Sequence, residues 1–227
     1  MAIEILKPEW GASRPIRGIL FDMDGLVVDT EKLFTRFWME ACRHYGFPMT
    51  REQALEMRSL SKEAGQAKLV SFFGPEASYP VIRARRIELM DAYIAQHGVE
   101  ARPGARELLE HLKARGIPCA ITSSSPAERI QSYLEPLGLY GYFDRILSGH
   151  DVPRGKPAPD IYLYGAAALG LRPVECLALE DSPAGVCSAY AAGCLTVMVP
   201  DQDLPDENTK TMLFAVAQTL ADVINMV

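Results

Sequence analysis

What this 227-residue chain lacks narrows its reading first. It has no basic excess: 23 Lys and Arg stand against 29 Asp and Glu, a net charge of -6. Composition therefore gives no pull toward nucleic acid or an anionic membrane, and neither is expected as a partner. Residues 1–15 hold no long apolar run and carry Glu4 and Lys7, so neither a secretion signal nor a membrane span is expected, and the expected location is cytoplasmic. The five cysteines, Cys42, Cys119, Cys176, Cys187 and Cys194, are odd in number, form no C-x-x-C pair and sit mostly in apolar runs. They read as reduced core thiols, not as a disulfide framework. Internal repeats and low-complexity segments are missing too, and no pattern specifies an oligomeric state.

Strand-forming residues are scarce over one long stretch, and that gap organises the chain. Residues 16–21 form an apolar run that reads as a buried strand. Leu33, Phe34, Phe37, Trp38, Ala41 and Tyr45 then fall on one helical stripe, and helices are expected over 51–57, 62–73 and 81–97. Beyond Pro103-Gly104 short apolar strands (118–121, 145–147, 176–179, 195–199) alternate with helices (105–115, 126–137, 158–169, 183–192), and a helix over 211–224 closes the chain. Such alternation predicts right-handed βαβ crossovers and a parallel sheet covered on both faces. The expected fold class is α/β: a Rossmann-like parallel-sheet core, residues 16–29 and 103–227, with an inserted all-helical cap over 30–102. Residues 1–15, broken by Pro8, Gly11 and Pro15, read as a loose extension.

The chemistry concentrates at strand ends. The first strand stops at Asp22-Met23-Asp24-Gly25, two carboxylates spaced i, i+2 followed by a residue that lets the backbone turn away. Later strands run into Thr122-Ser123-Ser124-Ser125, into Ser148 and then Lys156, and into Glu180-Asp181. Parallel strands point the same way, so Asp22, Asp24, Ser123, Lys156, Glu180 and Asp181 should converge on one rim of the sheet. At about 4 Å and an effective dielectric near 20, each carboxylate pair costs on the order of 4 kcal/mol, which one lysine does not offset. A divalent cation does. Oxygen donors without a His or Cys cluster favour a hard ion, and few carboxylates with room for water and phosphate favour Mg²⁺.

Phosphoryl transfer fits that set. Asp22 is the candidate nucleophile, forming an aspartyl-phosphate, and Asp24 the candidate acid and base for its two half-reactions. Ser123, with Thr122 as an alternative one residue away, would donate to the phosphoryl group, and Lys156 would neutralise charge. Asp22, Asp24 (through its carbonyl), Glu180 and Asp181 are the candidate metal ligands. Among the other residues, Asp29 and Thr30 read as caps for the next helix, and His150 as a solvated loop residue. Arg83, Arg85 and Arg86 read as a solvated face, with a second phosphate site as the alternative.

Asp-Met-Asp-Gly-Leu-Val-Val-Asp-Thr-Glu, Thr-Ser-Ser-Ser, Gly-Lys-Pro-Ala-Pro-Asp-Ile-Tyr and Leu-Glu-Asp-Ser-Pro-Ala-Gly-Val resemble, in order, the four motifs of the haloacid dehalogenase superfamily. Within it the chain looks like the β-phosphoglucomutase and sugar-phosphate phosphatase branch. The resemblance implies Mg²⁺ dependence, the roles just assigned, and a cap that closes on a small phosphorylated metabolite. Met23 and Ser124, with Ser61 and Lys62 in the cap, are further candidate substrate- and phosphate-binding positions. Two departures stand out. The branch's mutases carry a histidine where this chain has Phe34, which leans against mutase activity. In the cap loop Arg58-Ser59-Leu60-Ser61-Lys62, Ser59 replaces the usual glycine. The expected activity is phosphatase, with a sugar phosphomutase as the alternative and a phosphate- or partner-binding protein without turnover as the third reading.

Overall fold

The computed structural model describes residues 3–13, 15–58, 60 and 62–227. In chain order these form β1 (Ile3–Ile5), α1 (Pro8–Ser13), β2 (Gly18–Phe21), α2 (Glu31–His44), α3 (Arg51–Leu55), α4 (Lys62–Phe73), α5 (Tyr79–His97), α6 (Ala105–Arg115), β3 (Cys119–Ser123) and α7 (Ala127–Leu134). They continue as β4 (Arg145–Ser148), α8 (Asp160–Ala168), β5 (Cys176–Glu180), α9 (Pro183–Ala192), β6 (Leu195–Met198), α10 (Glu207–Lys210) and β7 (Ala215–Ala217), with a 3-10 turn over Leu220–Met226. Two compact units result: Met1–Asp29 with Glu100–Val227, and Thr30–Val99.

The first unit is an α/β sheet of seven strands in the order β1-β7-β6-β5-β2-β3-β4. β2 through β7 run parallel, and β1 pairs antiparallel with β7 at one edge. Every residue of β2, β3, β5 and β6 is buried, as expected of strands covered on both faces, and this is why they read as continuous apolar runs. The chain builds outward from β2 through β3 to β4, then crosses back to start β5 on the other side of β2. That reversal opens a crevice beyond the carboxyl ends of β2 and β5, where ligands of such sheets bind. In register, Phe21 lies opposite both Leu179 and Ile121, so Asp22, Glu180 and Ser123 follow within one or two residues on three adjacent strands.

Two expectations are corrected at the sheet's far edge. Residues 3–5 are not a loose extension but β1, and Pro8–Ser13 is a helix in which Pro8 occupies the first position, where a missing N–H costs nothing. The closing helix is also replaced. Leu213 to Ala217 is a mostly buried apolar segment whose Ala215–Ala217 pair with β6 on one side and Ile3–Ile5 on the other. A five-residue apolar run has no distinguishing period, and here strand pairing takes it.

The second unit holds four helices and, among its described residues, no strand. α2 presents Leu33, Phe37, Trp38 and Ala41 as a buried stripe. Trp38, Ala41, Cys42, Ala54, Met57, Leu69 and Ile82 form its core, with the Trp38 and Tyr79 rings 5.6 Å apart. Thr50 and Gln53 close α3 with a reciprocal capping box. Thr30, expected to cap α2, stands at its N-terminus but makes no side-chain capping bond.

Candidate active site

The site is built where β2 breaks. Asp22 N donates to Leu179 O at 3.0 Å, which carries strand geometry one residue past Phe21. The Met23 carbonyl then accepts from the N–H groups of Leu26, Val27 and Val28, and Gly25, at φ 85°, donates to Val28 O. A left-handed residue is what this tight turn requires, and glycine takes it without a steric penalty. Asp22 is 8% exposed, while Asp24, one turn position further, is half-buried. Met23 is fully buried, so only its backbone can serve a ligand. The two crossings into the helical unit lie side by side: Val28 bridges Ala101, and Asp29 N donates to Glu100 O.

Lys156 comes from the loop after β4 and joins two strand ends. Its Nζ donates to Asp22 Oδ1 at 2.5 Å and to Glu180 Oε1 at 2.6 Å. The lysine side chain is 8% exposed and Glu180 is wholly buried. Burial pushes the Asp22 carboxyl up to about 7, opposed by Lys156 and reinforced by Glu180 and Asp24. Burial alone would lower Lys156, but the Asp22 and Glu180 charges win and raise it above its ordinary value. Asp181 completes the group: Asp22, Glu180 and Asp181 can each offer a carboxylate oxygen with all three within 4.8 Å of one another. A donor set of oxygens alone fits a hard cation.

The serine run sorts itself by burial. Thr122, the alternative phosphate donor, turns back into the sheet and donates to Phe21 O at 3.1 Å. Ser123 is fully buried, its Oγ accepting from Ser125 N at 3.0 Å, and Ser124 is exposed. Ser125, which the sequence did not single out, donates from Oγ to Asp24 Oδ2 at 2.9 Å and so holds the candidate acid and base. Ser148 Oγ in turn donates to Ser125 O. Tyr162 was also missed. Its phenol donates to Glu180 Oε1 at 2.5 Å and lies 3.4 Å from Lys156 Nζ, and burial, with Glu180 and Asp22 adding, holds its pKa well above the ordinary value. The signal was present as the tyrosine ending Gly-Lys-Pro-Ala-Pro-Asp-Ile-Tyr, six residues after the lysine. Gly185 has a packing role against the same carboxylate. A Cβ there would lie 2.0 Å from the Glu180 carboxylate atoms, so the first turn of α9 is cut away to seat that side chain.

In the helical unit, Ser61 lies outside the described residues, and Lys62 is exposed at the first position of α4. His150 is exposed, as expected. The arginine run is not a solvated face: Arg86 is 5% exposed and its guanidinium lies over the Phe34 ring at 4.8 Å and the Trp38 ring at 5.4 Å. Arg85 pairs with Glu88. No described helix is long and apolar enough to cross a membrane.

The sequence profile described as haloacid dehalogenase-like hydrolase matches residues 19–199. Hexitol phosphatase A of Escherichia coli K12 is 37% identical over 185 residues, covering 81% of this chain and 82% of that protein. β-Phosphoglucomutase of Bacillus subtilis 168 is 28% identical over 192 residues, covering 81% and 83%. Among solved structures, that of an HAD family hydrolase from Deinococcus radiodurans R1 with bound phosphate and sodium aligns with a TM-score of 0.76 at 27% identity, covering 94% of this chain and 98% of the other. An aspartate-ended central strand, a lysine spanning two strand ends and a match that runs from β2 to β6 lead to one conclusion: the chain belongs to the haloacid dehalogenase-like hydrolases, in the branch of β-phosphoglucomutase and sugar-phosphate phosphatases.

Proposed function

We propose that the chain hydrolyses a small phosphorylated metabolite, a phosphate monoester of sugar-like size, through an aspartyl-phosphate on Asp22. The observation that carries the reading is the bridge from Lys156 Nζ to Asp22 and Glu180, set beside Asp181 at the carboxyl ends of β2 and β5. Asp22, the Asp24 carbonyl and Asp181, with Glu180 behind them, would hold Mg²⁺. The bound ion supplies positive charge against the phosphate oxygens and lets a dianionic ester approach a carboxylate.

Asp22 attacks phosphorus as the P–O bond to the alcohol breaks, and the electron pair leaves with the alkoxide. Asp24, in its acid form, gives that oxygen a proton. As a carboxylate it then takes a proton from the water whose oxygen attacks phosphorus, and the bond to Asp22 breaks to release phosphate. Ser125 keeps the Asp24 carboxyl in one orientation through both steps. Ser123 donates to a phosphoryl oxygen, with Ser124 and the Met23 backbone beside it, and Lys156 offsets the charge on Asp22 and the phosphoryl group. Ser61 and Lys62 are assigned to substrate contacts of the helical cap.

Phosphorus NMR with Mg²⁺ and a panel of sugar, polyol and carboxylic-acid phosphates tests the reaction class. Free phosphate that disappears on chelation is expected. A rearranged phosphoester without phosphate release would make the chain a mutase, and Phe34 would then not bar transfer to a sugar hydroxyl.

A further inference from the structure

The turn that carries Asp24 is braced from outside by a second segment. Residues 100–102 run antiparallel to the far end of the turn: Val28 bridges Ala101, Asp29 N donates to Glu100 O at 2.8 Å, and Arg102 N donates to Val27 O at 2.9 Å. A ribbon this short is not stable on its own and needs packing against something else. On the turn's side that packing is plain, because Leu26, Val27 and Val28 are buried. Ala101 is exposed and gives the brace no apolar anchor.

Its anchor is an ion pair. Arg102 Nη1 donates to Asp201 Oδ1 at 2.8 Å, and Nη2 lies 3.5 Å from Pro200 O. The two side chains are 19% and 6% exposed, so salt and water screen the pair little. Arg102 is the one ionic partner of Asp201 among the described residues, and Asp201 Oδ2 is buried without a hydrogen bond. Desolvation cancels much of the stability such a pair could give, and the geometry it fixes is what remains. Asp201 is itself tied to the rim: it follows β6, whose next residue, Val199, donates from N to Glu180 O at 2.7 Å. Contacts therefore run from Asp22 through Lys156 to Glu180, along Val199 to Asp201, across to Arg102, and back to Val27 in the Asp24 turn. All of these residues belong to one compact unit, Met1–Asp29 with Glu100–Val227.

We propose that Arg102 and Asp201 are positioning residues for Asp24: their ion pair pins residues 100–102 against the Asp24 turn and so fixes where the candidate acid meets the leaving oxygen. The consequence for turnover rests on the hydrolase reading, whereas the tether itself does not. A misplacement of about 1 Å can cost about a hundredfold in rate. The loss falls where the proton is needed. A sugar alkoxide must receive it as the P–O bond breaks, while p-nitrophenolate leaves without it, so a displaced acid is felt by one ester and hardly by the other.

R102M/D201N removes both charges together, so no buried carboxylate is left without its counter-charge, and R102K keeps the pair. Hydrogen exchange is read by mass spectrometry on the full chain without Mg²⁺ or substrate. In R102M/D201N it should quicken about tenfold in the peptide spanning residues 22–29 and stay native in β3 and β5. In turnover with Mg²⁺, kcat/KM reads the half-reaction that phosphorylates Asp22, and it is compared for an accepted hexose or hexitol phosphate and for p-nitrophenyl phosphate. R102M/D201N should lose about tenfold or more on the sugar ester and about twofold or less on p-nitrophenyl phosphate. R102K should keep both near native, and E175Q, at the opposite end of the sheet, should change both alike. Equal losses on the two esters in R102M/D201N would make the pair a general stabiliser and overturn the positioning role. Native exchange over residues 22–29 in that variant, or an R102K protein no better than it, would overturn the tether. Absent turnover of both esters by the native protein, with exchange as expected, would sink the hydrolase reading and leave the tether standing.

Discussion

The phenol of Tyr162, fully buried under β3, donates to Glu180 Oε1 at 2.5 Å, on the same oxygen that takes Lys156 Nζ at 2.6 Å. Glu180 is thereby locked from two directions, and Lys156 is left with one stable position between Glu180 and Asp22. Y162F removes one donor to a buried carboxylate without changing volume. It should lower stability by about 1–3 kcal/mol and kcat several-fold, with KM little altered. Thermal unfolding and steady-state kinetics on the same preparation check both.

G185A addresses the same carboxylate from the other side. The added Cβ would sit 2.0 Å from Glu180 Cδ and both carboxylate oxygens, and these belong to a short, buried side chain that cannot swing clear. Overpacking of this kind costs about 1–3 kcal/mol. Mg²⁺ affinity, read by calorimetry, should fall as Glu180 is displaced. Native affinity in G185A would mean that Glu180 is not needed to hold the ion.

Much of this arrangement was legible in the sequence, for a physical reason. Asp22 and Glu180 end runs such as Gly-Ile-Leu-Phe and Cys-Leu-Ala-Leu that have no polar residue for a solvent face, so the runs had to be central parallel strands and their ends had to meet. Tyr162 and Ser125 were not legible because their roles depend on register and helix phase, which set whether a side chain six residues from Lys156 points at Glu180 or away. The edge was misread for a related reason. Ile3–Ile5 becomes a strand only by pairing with Ala215–Ala217, more than two hundred residues away, and neither segment has a periodicity of its own. Arg86 looked like surface because charge dominates its local sequence, while its burial is decided by Phe34 and Trp38 on another helix.

Acid should loosen the opposite end of the sheet. Arg172 and Arg17 hold Glu175 just before β5, and Arg17 N also donates to Glu175 O. The Arg172 side-chain and backbone hydrogen bonds, with Arg17 adding, lower the Glu175 carboxyl to about 2 from an ordinary 4.5. The folded value lies below the unfolded one, so this group's contribution is present above about pH 4.5 and is lost as pH falls through about 2. In E175Q the slope of unfolding free energy against pH should flatten across that window, as measured by urea denaturation.

Asp22 has the opposite sign. Its carboxyl is raised to about 7, mainly by burial, so in metal-free protein its contribution is full below about pH 3.8 and is lost as pH rises through about 7. A bound cation needs the ionised form. The rise in Tm produced by Mg²⁺ should therefore be larger at pH 8 than at pH 5.5, and D22N should abolish the difference. An equal rise at both values would separate Asp22 from the ion.

The central claim is that Asp22 becomes phosphorylated during turnover. Acid quenching of the protein with Mg²⁺ and an accepted phosphate ester, followed by peptide mass spectrometry, reads this directly. The account predicts one added phosphoryl group on the peptide containing Asp22, present only with Mg²⁺, and neither adduct nor turnover in D22N. Phosphate release at the native rate in D22N, with no adduct in the wild-type protein, would contradict it.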